Sequence, residues 1–384
     1  MNTFGIDHQP GLTCIALREG GQQRARVALV GDGARSMIPN TVAPEGYWGS
    51  GALGRPGAYS PAGTKGAWID EPGASLFWRG LYARLRAYLG RMAPTRDNGY
   101  RIAIALQGEE YSADAHAVAA LARAAGFDDV VLLPGTYALL CRWLASAGMP
   151  EHRPRTVITL AVGEVATLVG GFQLEWSLRG LPAVRAASVP KSVAEAGYRS
   201  WNRRLLELLR ERLKEAPPEG YTNLLHDAAL RYAVRLSQAR SEESVQWREA
   251  LEEQLYAPLS LSYAQCAAWP ECVSLGSALA DSVRAALRTL GGGTADLLIV
   301  GGIGSLWPFV EKIAAALGPV WCSGAAGDDV AVGATWCGEL CEYASGALIT
   351  ASTSTTQQTG SPTGLPEASR AFAPPWERGA ADVD

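Results

Sequence analysis

Apolar and turn-forming positions alternate cleanly at the start of the chain. In FGIDHQPGLTCIAL, residues 4–17, two short apolar runs flank a turn that holds Pro10 and Gly11, which predicts a buried strand, a tight turn and a second buried strand. Further short strands are expected at RARVALV and within SMIPNTVAPEGYWG, where Pro39 and Pro44 bracket an extended piece. A loop rich in glycine, proline and serine covers 50–75, and SLFWRGLYARLRAYLGRM then repeats apolar residues at helical spacing. YRIAIAL is a continuous apolar strand, SADAHAVAALARAAGF a helix capped by Ser112, DVVLLP a strand, and TYALLCRWLASAG a helix ending at Gly148. Strand and helix in alternation imply parallel pairing in a layered α/β domain.

The same order begins again at residue 155. RTVITLAVG and VATLVGGF form a strand pair around a turn, followed by QLEWSLRGL. A helical insert is expected over about 188–290, carried by SWNRRLLELLRERLKEA and LLHDAALRYAVRLSQARSEESVQWREALEEQL, whose charge runs fit solvated helix faces. The pattern then returns to ADLLIVGGIG, a helix from Trp307 to Leu317, the strand PVWCS and a last helix from Asp328 to Tyr343. From 349 onward the chain is poor in aliphatic residues and rich in Ser, Thr, Gly and Pro, which predicts a disordered tail with Trp376 as its one candidate docking residue. The expected domains are therefore a first α/β lobe (1–150), a second α/β lobe with the insert (151–348) and the tail (349–384).

Composition narrows the function. The 384 residues are 48% hydrophobic and carry a net charge of −4, so nothing pulls the chain toward nucleic acid or an anionic membrane. No apolar run approaches the roughly 20 residues of a membrane span, and a cytoplasmic location is expected. The seven cysteines form no CxxC pair, and most sit in apolar runs, as buried reduced thiols do. His8, His116, His152 and His226 share no ligand spacing, so no metal held by protein side chains is expected.

The duplicated layout resembles the bilobal actin-like fold, and in detail the nucleotide-binding domain of the seventy-kilodalton heat-shock chaperones. FGIDHQPGLTCIAL is similar to that family's first phosphate loop, SMIPNTVA to the strand after it, and TVITLAVGEVATLVGGF to the second phosphate loop. LLIVGGIGSLWPFVEKIAAALG, followed by GDDVAVGAT, is similar to the adenosine motif and the closing helix. The likeness covers about residues 3–345 and includes nothing of the family's peptide-binding domain. It implies a cleft for ATP or ADP with Asp7, Gly11 and Thr13 on the first loop, Gly163 on the second, and Gly301, Gly302 and Gly304 beside the adenosine. Arg235, with Arg231, would lie near the base, and Lys65 near the phosphates.

Several positions depart from the family pattern. Pro10 has no N–H to give a phosphate, and Leu12 replaces a polar side chain. Ala161 and Pro134 stand where the family has carboxylates, which leaves no catalytic residue to assign and makes Mg²⁺ doubtful. Glu164 would repel a polyphosphate; two charges about 4 Å apart cost roughly 4 kcal/mol at an intermediate dielectric, about a thousandfold in affinity. Asp7 is thus either a relict of a nucleotide site or a turn residue. The favoured reading is a pseudo-ATPase that serves as scaffold or regulator for a protein partner. The alternative is an ATP-binding chaperone-type protein with slow hydrolysis.

Overall fold

The computed structural model describes residues 2–20, 22, 24–28, 37–61, 71–91, 100–106, 113–127, 129–147, 155–176, 182–215, 221–239, 242–248, 252–255, 257–302, 314–323, 327–340, 342–343 and 349–350. Lys65, His152, Gly304, Trp307, Pro308, Cys341 and Trp376 lie outside these, as does the tail from 351. The protein is α/β, built on two mixed sheets.

Strands β1 (Asn2–His8), β2 (Leu12–Arg18), β3 (Arg26–Val27) and β4 (Met37–Pro39) open the first sheet, and the short β5 (Val42–Ala43) and β6 (Tyr47–Trp48) pair beside it. Helix α1 (Glu71–Arg91) buries Phe77, Trp78, Leu81 and Leu85, the spacing that lines one helix face. Then come β7 (Tyr100–Leu106), α2 (Ala113–Ala124), β8 (Val130–Pro134) and α3 (Gly135–Ala147). β1 pairs antiparallel with β2 and parallel with β7, and β7 pairs parallel with β8.

The second sheet repeats this plan. β9 (Arg155–Val162) pairs antiparallel with β10 (Ala166–Trp176), which also carries β11 (Pro182–Ala187) and β12 (Lys191–Ala194). Helices α4 (Tyr198–Trp201), α5 (Arg203–Arg212) and α6 (Tyr221–Gln238), the strand pair β13 (Val245–Gln246) and β14 (Ser260–Leu261), and helices α7 (Tyr263–Ala267) and α8 (Pro270–Thr289) follow. β15 (Leu297–Gly302) then lies parallel to β9, and β16 (Val320–Cys322) parallel to β15. The strands β9, β10, β15 and β16 thus repeat the order and senses of β1, β2, β7 and β8. Helix α9 (Asp329–Ala334), β17 (Glu342–Tyr343) on β11 and β18 (Ile349–Thr350) on β8 complete the described chain.

One core joins the two sheets. Ala105 and Leu133 of the first and Ala161 and Ile299 of the second pack with Leu139 of α3 and Val330 of α9. Backbones approach closely here: a Cβ on Gly5 would meet the Ala331 carbonyl oxygen at 2.0 Å, and one on Gly333 the Ala138 oxygen at 1.9 Å. The insert is not a separate body either. Ile158, Leu160 and Val169 of the second sheet share a core with Leu205, Leu225, Tyr232 and Leu279 of its helices.

Four details differ from the sequence expectation. The insert is not wholly helical, since α6 stops at Gln238 and β13 pairs with β14, where Tyr232 Oη donates to the Val245 carbonyl and Trp247 is buried. Its first helix breaks at Asn202 into α4 and α5. The last helix ends at Ala334 instead of Tyr343; tight turns follow, closed by bonds such as Trp336 N–H to the Gly333 oxygen (3.0 Å), and Gly338 adopts φ +78°. Ile349 and Thr350, assigned by composition to the tail, pair with Leu132 and Val131. A truncation that keeps them, after Thr350, is expected to change the melting temperature by no more than about 2 °C in a thermal scan.

Candidate functional site

The turns β1–β2 and β9–β10 occupy equivalent places in the two sheets, and hydrogen bonds tie them directly to each other. The first turn closes through Gln9 N–H to the Leu12 oxygen at 2.9 Å, and Asn40 braces it from the side. The Asn40 backbone N–H donates to the Gly11 oxygen (2.7 Å), its Nδ2 donates to the Gln9 oxygen, and its Oδ1 accepts from Thr13 Oγ1 at 2.6 Å. Since Thr13 gives its one hydroxyl proton to Asn40, the contact between His8 Nδ1 and Thr13 Oγ1 (3.0 Å) places the imidazole proton on Nδ1. Asp7 is fully buried, and its Oδ1 accepts from Gln9 Nε2 at 2.6 Å.

The second turn reaches into the first. Gln9 Oε1 accepts the Glu164 backbone N–H at 3.0 Å, so Gln9 links Asp7 to the opposite turn. The Glu164 side chain, 1% exposed, runs to the first turn, where its Oε2 accepts the Gly11 N–H. Its Oε1 pairs with Arg199 Nη2 at 2.5 Å. Arg199 sits on α4, whose start is anchored to the same turn by Tyr198 N–H to the Gly163 oxygen and Arg199 N–H to the Glu164 oxygen, both 2.9 Å. Gly11 leaves room for this contact: a Cβ there would lie 2.1 Å from Glu164 Oε1 and 2.3 Å from Arg199 Nη2, and both side-chain ends would have to shift.

Electrostatics follows from burial. Desolvation raises the Glu164 pKa, while Arg199 and the Gly11 and Leu12 amides pull it back; burial lowers the Arg199 pKa, but the charges and hydrogen bonds of Glu164 and Tyr198 together outweigh it and raise the value. Burial also raises Asp328 and Asp329, the latter bonded to Ser323 Oγ and to Arg142 Nε at 3.3 Å. Cys14, opposite Asp7 in the hairpin, is held as a thiol by burial and by the charges of Asp7, Asp328 and Asp329. His8, packed 4.9 Å from the Trp78 ring, is pushed down to about 3 by burial.

The low His8 value has a testable sign. Below about pH 6.5 the unfolded chain takes up a proton that folded His8 refuses, so its contribution is present above that pH and lost as pH falls toward 3. His8→Asn preserves the bond to Thr13 and removes the titration. Its stability relative to wild type should therefore rise by about 1.4 kcal/mol per pH unit between pH 6 and 4 in urea unfolding, if folding remains reversible. A difference independent of pH would contradict the buried neutral imidazole.

The structure brings Asp7, Gly11, Thr13 and Gly163 together, and places Gly301 and Gly302 one strand away, paired with Ala161 and Val162. The smallness of both glycines is used within the fold. A Cβ on Gly301 would meet Leu139 Cδ1 at 2.3 Å, and one on Gly302, at φ +95°, the Val162 oxygen at 2.5 Å. Arg235 lies on α6 over the Tyr232 ring, its guanidinium carbon 5.5 Å from the centroid. Gln9, Asn40 and Arg199 escape sequence reasoning, as each is a single polar residue whose partner is distant in the chain. Among the described residues no group of three or more His, Cys, Asp or Glu could hold a metal, and no helix is long and apolar enough to cross a membrane. No protein-family model matches the chain, and no curated protein matches it.

Proposed function

We propose that this protein is a pseudo-ATPase of the actin-like superfamily, similar in its body to the nucleotide-binding domain of the seventy-kilodalton heat-shock chaperones. It acts as a scaffold or regulator through contacts with a protein partner. The two sheets of one plan joined through α3 and α9 support the architectural half of this reading. The observation that carries the functional half is the Glu164 carboxylate on the Gly11 amide: the donor a phosphate would need already has an acceptor from the same chain.

The residues around Asp7 do not fit a hydrated Mg²⁺. One Asp7 oxygen takes the Gln9 amide, and the equivalent position in the second sheet holds Ala161, a core residue paired with Leu168 and Gly301. Pro134, at the other position where the resembled family has a carboxylate, ends β8 inside the core. Losses of a general base and of a metal-positioning group typically cost factors of hundreds each. Steady-state phosphate release from Mg-ATP should therefore not exceed the uncatalysed background. Several turnovers per minute, abolished by Asp7→Ala, would overturn the reading in favour of a slow ATPase.

A further inference from the structure

We propose that the adjacent carboxyl groups of Asp328 and Asp329 form a proton-operated joint between the two sheets, which holds the α3–α9 crossing shut while a proton is bound and loosens it when both are charged. The joint does not depend on whether ATP is turned over. Asp329, 0% exposed at the start of α9, touches α3 of the first lobe and β15 of the second. Its Oδ1 accepts from Ser323 Oγ, just past β16, and from Arg142 Nε of α3 at 3.3 Å. Its Oδ2 lies against Gly301 of β15, 3.2 Å from where a Cβ would stand. No donor among the described residues reaches Asp329 Oδ2 or Asp328 Oδ1, although both atoms are sealed from water, and Asp328 makes no side-chain cap to α9. The crossing beside them is tight: a Cβ on Gly333 would meet the Ala138 oxygen at 1.9 Å and Arg142 Cβ at 3.0 Å.

A buried carboxylate oxygen without a donor keeps the full cost of its lost hydration. Two such groups in sequence also repel each other, and Arg142 is the cation that faces both. Cys14 of β2 faces both carboxyls and also Asp7 of β1, and brings no positive charge. Arg18 is engaged at the other end of α9, with the Thr335 oxygen. One proton on the pair removes the repulsion and turns an orphan acceptor into a hydroxyl, so the two groups titrate as a unit. Burial lifts both above the ordinary aspartate value. The closed joint therefore keeps a proton that the opened one releases; closure is favoured at low pH and lost as pH rises toward the folded value.

Native-state hydrogen exchange of wild type, Asp328→Asn and Asp329→Asn from pH 4 to 8, read by mass spectrometry and corrected for the intrinsic pH dependence of exchange, tests this. His8 and Glu164 titrate in all three proteins, so the ratio to wild type isolates the pair. The opening constant of the α3 and α9 amides should rise in wild type, relative to either variant, by up to about tenfold per pH unit above the ordinary aspartate range and then level off. The α6 amides of the insert should show no such change in ratio. A ratio at α3 and α9 that is independent of pH in either folded variant would overturn the proposal. So would an equal change in α6, which would make the pair a uniform contribution to stability and not a joint. Failure of both variants to fold would also overturn it, because a carboxamide keeps the shape of the protonated carboxyl.

Discussion

Arg199→Ala should destabilise the protein by about 3 kcal/mol at neutral pH, because it leaves the Glu164 carboxylate buried without its cation. The partial exposure of Arg199 keeps the figure near the lower end of what breaking a buried pair costs. The penalty should also depend on pH in a defined direction. A carboxyl whose folded pKa lies above its unfolded value binds its proton more readily when folded, so stability from this group is present at low pH and lost as pH rises. Loss of Arg199 raises that pKa further. The deficit should accordingly shrink as pH falls toward 5 and grow toward 8, and Glu164→Gln/Arg199→Ala should recover most of it at pH 8. Urea unfolding across this range measures both. A deficit below about 0.5 kcal/mol at pH 8 would mean that the pair is a surface ion pair in energetic terms.

The second large effect is expected at Gly333. Glycine to alanine inside a helix ordinarily stabilises by up to about 1 kcal/mol. Here the sign should reverse, with a loss of roughly 3 kcal/mol, because the added methyl meets the Ala138 oxygen at 1.9 Å and α3 cannot retreat from a core shared by both sheets. Gly5→Ala should act in the same direction against the Ala331 oxygen. Thermal or urea unfolding of the two variants checks this. An unchanged or raised stability in Gly333→Ala would contradict the close crossing of α3 and α9 that unites the sheets.

Much of this architecture was legible from period and order alone. The apolar runs at 102–105 and 130–134 are buried on both faces, so a central parallel strand leaves an uninterrupted hydrophobic word. The recurrence at 155 was equally visible, since a strand, turn and strand with a glycine at its corner repeats the opening hairpin. Local patterns were less informative where tertiary contacts decide. Val245 and Gln246 lie in a stretch with helical spacing, yet they form a strand because Trp247 and Tyr232 bury against the insert core. Just past the end of α9, Trp336 packs under Arg18, whose guanidinium carbon sits 4.3 Å from the ring centroid, a contact between residues more than 300 apart in the chain.

The site was half legible. Glu164 stood out as a charge in the wrong place, and its effect was expected to be repulsion of a phosphate. Its actual partners, Gly11 and Arg199, lie 153 residues before it and 35 after it, beyond any local pattern. Gly301 and Gly302 illustrate the converse. Their small size is a sequence signal for close backbone approach, but Leu139 and Val162 are what approach them.

The Gly11 amide of the first turn is held by Glu164 and is not free for a nucleotide phosphate. Calorimetric titration of wild-type protein with adenosine, ADP and ATP, each with and without Mg²⁺, tests it most directly. ATP should bind no better than adenosine or ADP, any binding should be weak, and Mg²⁺ should add little. Tight ATP binding that requires Mg²⁺ and disappears in Asp7→Ala would contradict it, because the phosphates would then have displaced Glu164 from the Gly11 amide.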